Sequence, residues 1–161
     1  MDRTILFAFL ILAASIAVIM MSRRRVRLMD VGDGELINLL DAPPSEADPM
    51  EGGVPLIYNL TPEQLDSIRK RPDVQLVDIR QPFEHNSLPP IPGAESIPLM
   101  QLRGRTHELN PESNTVALCL SGHRSITAGR TLVRNGFPKV FQLKGGMAAW
   151  AQYKGDAKPR E

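Results

Sequence analysis

The chain has one cysteine in 161 residues, and that scarcity excludes whole classes of chemistry. Cys119 has no partner for an internal disulfide, a CxxC redox pair or a cysteine-rich zinc site, and stands as a free thiol typical of a reducing compartment. Aromatic residues are also sparse, 5% of a chain that is 42% hydrophobic. That is enough for one ordinary core and too little for two catalytic domains. His85 and His107 are isolated, without ligand spacing, so no metal is proposed and no cofactor is expected. Net charge is nearly nil, 19 Lys and Arg against 18 Asp and Glu, but the balance hides a division along the chain. Residues 28–57 hold seven acids and no base, residues 23–27 hold four Arg, and residues 58–161 hold 14 bases against 10 acids. The last block mildly favours anionic substrates.

Charge is absent altogether from Thr4 to Ser22, an apolar run of 19 residues. As a helix it would span about 28 Å, against a hydrocarbon core of about 30 Å. A cleaved secretory signal is the main rival, but there the apolar region is about 7–15 residues long and follows its charges. Here Arg23, Arg24, Arg25 and Arg27 follow the run, and only Arg3, offset by Asp2, precedes it. The expectation is an uncleaved single-pass helix over 4–22 in the inner or plasma membrane, with the rest of the chain cytoplasmic. Topology accounts for the clustered arginines, so no nucleic-acid partner is expected.

Residues 23–57, basic and then acidic and rich in Gly and Pro, read as a flexible linker. Within it Leu36, Ile37, Leu39 and Leu40 offer one or two helical turns, docked on the domain or lying at the membrane, but better read as a transient helix in the linker. Residues 154–161 read as a flexible tail. Between them lies one domain, 58–153. Thr61-Pro62-Glu63-Gln64 has the hydroxyl, proline and glutamine of a helix start, and Pro72 stops that helix. Val74 to Ile79, Thr115 to Cys119 and Val140 to Leu143 read as buried strands, with a short strand around Ser96-Ile97. Ser125 to Asn135 reads as a helix ended by Asn135-Gly136, and a last helix follows Gly145-Gly146. This alternation predicts an α/β fold of three layers, a parallel sheet covered on both faces. Ligands of such sheets bind at the carboxyl ends of the strands, where Cys119 and Asp78 fall.

Cys119 opens the loop Cys119-Leu120-Ser121-Gly122-His123-Arg124-Ser125, which joins a buried strand to a helix start. There, successive backbone N–H groups and the positive end of the helix favour thiolate over thiol. Gly122 permits the dihedral the curl needs, and Arg124 adds fixed charge at the rim. Cys119 is therefore the candidate nucleophile, with Leu120 to Ser125 around its substrate. His123, in the middle of this cradle, is equally read as a solvated loop residue. Asp78 is better read as bonded into the scaffold than as a rim charge, because an unpaired buried carboxylate is costly.

CLSGHRS resembles the active-site loop of single-domain rhodaneses. Four further segments match that family in order over about 58–152. They are Thr61 to Leu65, Leu76 to Arg80 with Glu84, Ile91 to Ala94 with Ile97-Pro98, and Leu143 to Gly146 with Ala149-Trp150. The one departure is Glu84 to Ile91, which is longer than usual and lacks a glycine. The resemblance implies a rhodanese-like fold in which Asp78, Arg80 and Glu84 support the loop. It also implies a sulfurtransferase in which Cys119 takes a sulfane sulfur from a small donor such as thiosulfate and passes it to cyanide, a thiol or an acceptor protein.

Two rivals stand beside this reading. A membrane-tethered adaptor or sulfur carrier would use the fold without turnover. A cysteine phosphatase or arsenate reductase would carry five residues between its Cys and Arg, whereas four separate Cys119 from Arg124. The tighter ring suits a terminal sulfur better than a tetrahedral oxyanion.

Overall fold

Short runs of branched apolar residues build the middle of the sheet in the computed structural model, which describes residues 25–43, 49–50 and 53–155. These runs form β3 (Val74–Asp78), β5 (Asn114–Leu118) and β6 (Val140–Leu143), and every position of β5 and β6 is buried. With β1 (Arg27–Asp30), β2 (Leu56–Leu60) and β4 (Ala94–Ser96) they make a six-stranded sheet in the order β1-β2-β6-β5-β3-β4. Every pairing is parallel.

One face carries α1 (Asp33–Asp41), α2 (Pro62–Ile68) and α5 (Gly146–Lys154) over a core that includes Leu60, Leu65, Val116, Phe141 and Trp150. The other carries α3 (Leu99–Arg105) and α4 (His123–Arg134) over Ile57, Val77, Ala117, Leu132 and Val140. A parallel sheet needs both covers, because its strands are apolar on both faces. At the start of α2, Thr61 Oγ1 accepts from the Gln64 amide at 3.3 Å, and Gln64 Oε1 accepts from the Thr61 amide at 3.0 Å. This is the reciprocal capping pair that the sequence predicts.

The expected linker requires correction. Residues 27–41 form a strand and a helix that belong to the domain, and β2 crosses its expected start at residue 58. β1 pairs with β2 along its whole length, and Leu36 and Leu40 of α1 are buried. Polar groups far away in sequence complete the docking. Gln64 Nε2 donates to Val31 O and to Asp33 Oδ1, both at 2.8 Å. Buried Lys139 donates to the carbonyls of Leu40 and Ala42 at the end of α1. A cation on the last carbonyls of a helix satisfies orphan acceptors and complements its dipole.

Other differences are smaller. The short strand sits at Ala94–Ser96, α3 forms where the sequence signals no element, α4 begins at His123, and α5 runs on through Lys154. The expected span over 4–22 lies outside the described residues, as do 156–161 of the expected tail. Among the described residues, no helix is long and apolar enough to cross a membrane.

Candidate active site

Cys119 follows the last residue of β5, and its side chain is fully enclosed. Two donors converge on the sulfur, the Gly122 amide at 3.1 Å and Ser125 Oγ at 3.0 Å. The first depends on Gly122, which adopts φ +91°. A Cβ there would also sit 3.3 to 3.4 Å from Gln142 Oε1, Gly145 N and Leu143 O. Ser125 is itself buried in the first turn of α4, so its hydroxyl is fixed by packing. Leu120, Ser121 and His123 form the exposed part of the loop, with Ser121 Oγ and His123 Nδ1 hydrogen-bonded at 3.1 Å.

The backbone of the loop is held from behind by α5. The Met147 amide donates to Cys119 O at 2.8 Å and the Ala148 amide to Leu120 O at 3.0 Å. Two orphan donors of a helix start are thereby satisfied by the loop's own carbonyls. The approach is so close that a Cβ on Gly146 would lie 2.4 Å from Cys119 O. The sequence marks Gly145-Gly146 as the start of a helix, but gives no sign that the pair clamps the cysteine loop.

Arg124 stands on the rim and is fixed by Glu84, which accepts from its two terminal nitrogens at 2.5 and 2.8 Å. This pairing holds the Glu84 carboxyl at about 2 and raises Arg124 further. The hydrogen bonds between the two are the largest cause in each case. Beneath them, Asp78 and Arg80 form an ion pair with no exposed surface, closest at 2.6 Å. Arg80 Nη1 also donates to Leu88 O at 2.8 Å. A buried pair reinforced by a further hydrogen bond can hold a fixed geometry.

Each residue expected around the nucleophile is thus at the carboxyl end of β3 or β5, in the segment that follows, or in the first turn of α4. His85 is not isolated, as its sequence position suggests. Its Nε2 lies 3.5 Å from Asp78 Oδ2, so the short 3₁₀ segment Pro82–Asn86 brings both Glu84 and His85 against the site. No spacing motif links His85 to Asp78. Only the proline-started turn after β3 joins them.

The domain is thus a three-layer α/β unit on a parallel sheet, with one cysteine at the carboxyl end of a central strand and two donors on its sulfur. The chain belongs to the rhodanese-like domain family, whose model matches residues 61–153. Among its relatives is an uncharacterized Bacillus subtilis protein, YqhL, 38% identical over 47% of this chain and 60% of YqhL. A protein named as a sulfurtransferase from Allochromatium vinosum is 38% identical over 50% of this chain and 75% of its own length. The crystal structure of a rhodanese-like domain protein from Staphylococcus aureus matches with a TM-score of 0.51. It is 29% identical, over 57% of this chain and 89% of its own.

Proposed function

We propose that the protein is a membrane-anchored sulfurtransferase working through a persulfide on Cys119. The observation that carries this is the enclosed sulfur with two converging donors in a loop that places only four residues before Arg124. In the first half-reaction the Cys119 thiolate attacks the outer sulfur of thiosulfate or a similar sulfane donor. A sulfur–sulfur bond forms at Cys119, the donor's sulfur–sulfur bond breaks, and sulfite leaves with the electron pair. In the second, an acceptor thiolate or cyanide attacks the terminal sulfur and the Cys119 thiolate departs. Amide and hydroxyl donors aimed at the sulfur stabilise it whenever it carries charge. Arg124, held in place by Glu84, attracts anionic donors to the rim. Because Cys119 exposes no surface, a donor reaches the sulfur only after some of the groups that enclose it move.

The sulfurtransferase name of a relative supports the chemistry. The apolar run and its trailing arginines support an anchor over 4–22 with the catalytic domain on the cytoplasmic side.

Intact mass spectrometry after incubation with thiosulfate tests the reading. Wild-type protein should gain one sulfur atom and lose it again to a thiol, whereas Cys119→Ser should remain folded and gain none. Sulfur transfer by the Cys119→Ser protein would refute the persulfide mechanism. Reporter fusions at Glu161 test the topology, and a signal only from a reporter active outside the cytoplasm would overturn it.

A further inference from the structure

A row of polar side chains crosses the sheet from its edge strand β1 and ends at the cysteine loop. One arm of the Asn59 amide, on β2, lies 2.8 Å from Asp30 Oδ1 of β1. Its other arm lies 2.6 Å from the amide of Gln142, a buried residue of β6. The far arm of Gln142 lies 3.2 Å from the carbonyl oxygens of both Gly122 and Leu143. A side-chain amide offers donors on one arm and an acceptor on the other, and its neighbours decide which way round it sits. Both ends of this row, the Asp30 carboxylate and the two carbonyls, can only accept. Two amides in series cannot satisfy both ends, so one of the three junctions must set oxygen against oxygen.

The mismatch costs least at the Asp30 end. The Asp30 side chain is 70% exposed, and Lys144 Nζ lies 3.4 Å from each of its oxygens, so water and Lys144 can take the place of the amide. At the other end Gln142, Gly122 and Leu143 are all buried. An oxygen turned toward two carbonyls there would leave acceptors unpaired and out of reach of water. The middle junction, at 2.6 Å, is too close to hold a water between two oxygens.

We propose that Gln142 donates from its amide to the Gly122 carbonyl and is a positioning residue for Cys119, with Asn59 turned to donate to Gln142. Gly122 is the residue whose own amide donates to Cys119 Sγ at 3.1 Å, in a left-handed conformation that must be held in place. Anchoring it to β6 keeps that donor aimed at the sulfur and favours the charged form. The inference deepens the reading of Cys119 as a thiolate nucleophile and rests on it.

The test is the pH profile of Cys119 alkylation by iodoacetamide in the full chain. Its plateau reports how readily the loop opens, and its midpoint reports how well the thiolate is stabilised. Gln142→Leu removes the donor. Asn59→Asp leaves only acceptors facing Gln142, which turns the Gln142 nitrogen away from Gly122. Both should move the midpoint to higher pH by about half a unit or more. The shift in Asn59→Asp should persist in high salt, which screens the added carboxylate. Asp30→Asn supplies the missing donor at the outer end and should leave the midpoint at or below that of wild type. Arg124, Glu84, Asp78, Arg80, His85 and His123, the charged and titratable groups of the site, are the same in every variant. A midpoint unmoved in Asn59→Asp, or raised equally in Asp30→Asn, would overturn the proposal, as would a folded Gln142→Leu protein that changes only the plateau. If Gln142→Leu does not fold, Asn59→Asp decides alone. Alkylation needs no sulfur donor, so a wild-type protein that takes up no sulfur from thiosulfate refutes the persulfide reading and not this one.

Discussion

Replacing Gly146 by alanine should unfasten the cysteine loop. Gly146 adopts φ +62°, and an added Cβ would lie 2.4 Å from Cys119 O and 2.6 Å from Leu120 C and O. All three are backbone atoms, so no side chain can swing away to relieve the contact. The left-handed conformation alone costs an L residue about 1–2 kcal/mol. Retreat of α5 would lengthen the bonds from the Met147 and Ala148 amides to the loop carbonyls, each worth about 1 kcal/mol. The expected loss is therefore about 3–4 kcal/mol in urea unfolding. Gly136→Ala is the control. Gly136 has a comparable φ of +89°, but an added Cβ would meet nothing within 4 Å. It should cost only the conformational part, about 1–2 kcal/mol. Alkylation of Cys119 by iodoacetamide, measured below the unfolding transition, should accelerate in Gly146→Ala and stay unchanged in Gly136→Ala. Equal destabilisation of the two variants, with equal alkylation rates, would refute the clamp.

Asp78→Ala should destabilise the domain by about 3–5 kcal/mol in the same assay, because it leaves the enclosed Arg80 guanidinium without its counter-charge. The Glu84–Arg124 pair should add an acid-labile contribution to stability. The Glu84 carboxyl titrates near 4.5 when free and at about 2 in the fold. Its contribution is complete above about 4.5 and declines as pH falls toward 2. With Arg124 37% exposed and screened by solvent, about 1–2 kcal/mol is expected at neutral pH. Unfolding titrations from pH 6 to pH 2 should show Glu84→Gln losing less stability than wild type.

The centre of the fold is legible in the sequence because its signals are local. VQLVDI, TVALC and VFQL are short apolar runs bounded by turns, and each forms a buried or half-buried strand. The cysteine loop is legible for the same reason, since donors, nucleophile and Arg124 lie within seven consecutive residues. The edge of the sheet is not. β1, Arg27–Asp30, has four exposed positions and no alternation, and only its ladder to β2 makes it a strand. α1 looks too acidic and too rich in glycine neighbours to order itself. Its partners Gln64 and Lys139 lie 31 and 99 residues from the groups they bind at Asp33 and Leu40. His85 is hidden by the same kind of distance, since its neighbour Asp78 is reached through a turn and not through a helical or strand period.

The parallel sheet gives the molecule a direction. Among the described residues β1 is the first element, and all six strands point the same way. Arg27 therefore marks the amino-terminal rim, and Cys119 belongs to the opposite one. With the span proposed for 4–22, only residues 23–26 separate the bilayer from β1, a reach of roughly 14 Å even when fully extended. With that anchor, the docked β1 and α1 would shorten the leash to those four residues. The reactive rim lies about one strand length from that tether, roughly 17 Å for a five-residue strand such as β2. An anchored domain would thus present Cys119 on the rim away from its tether.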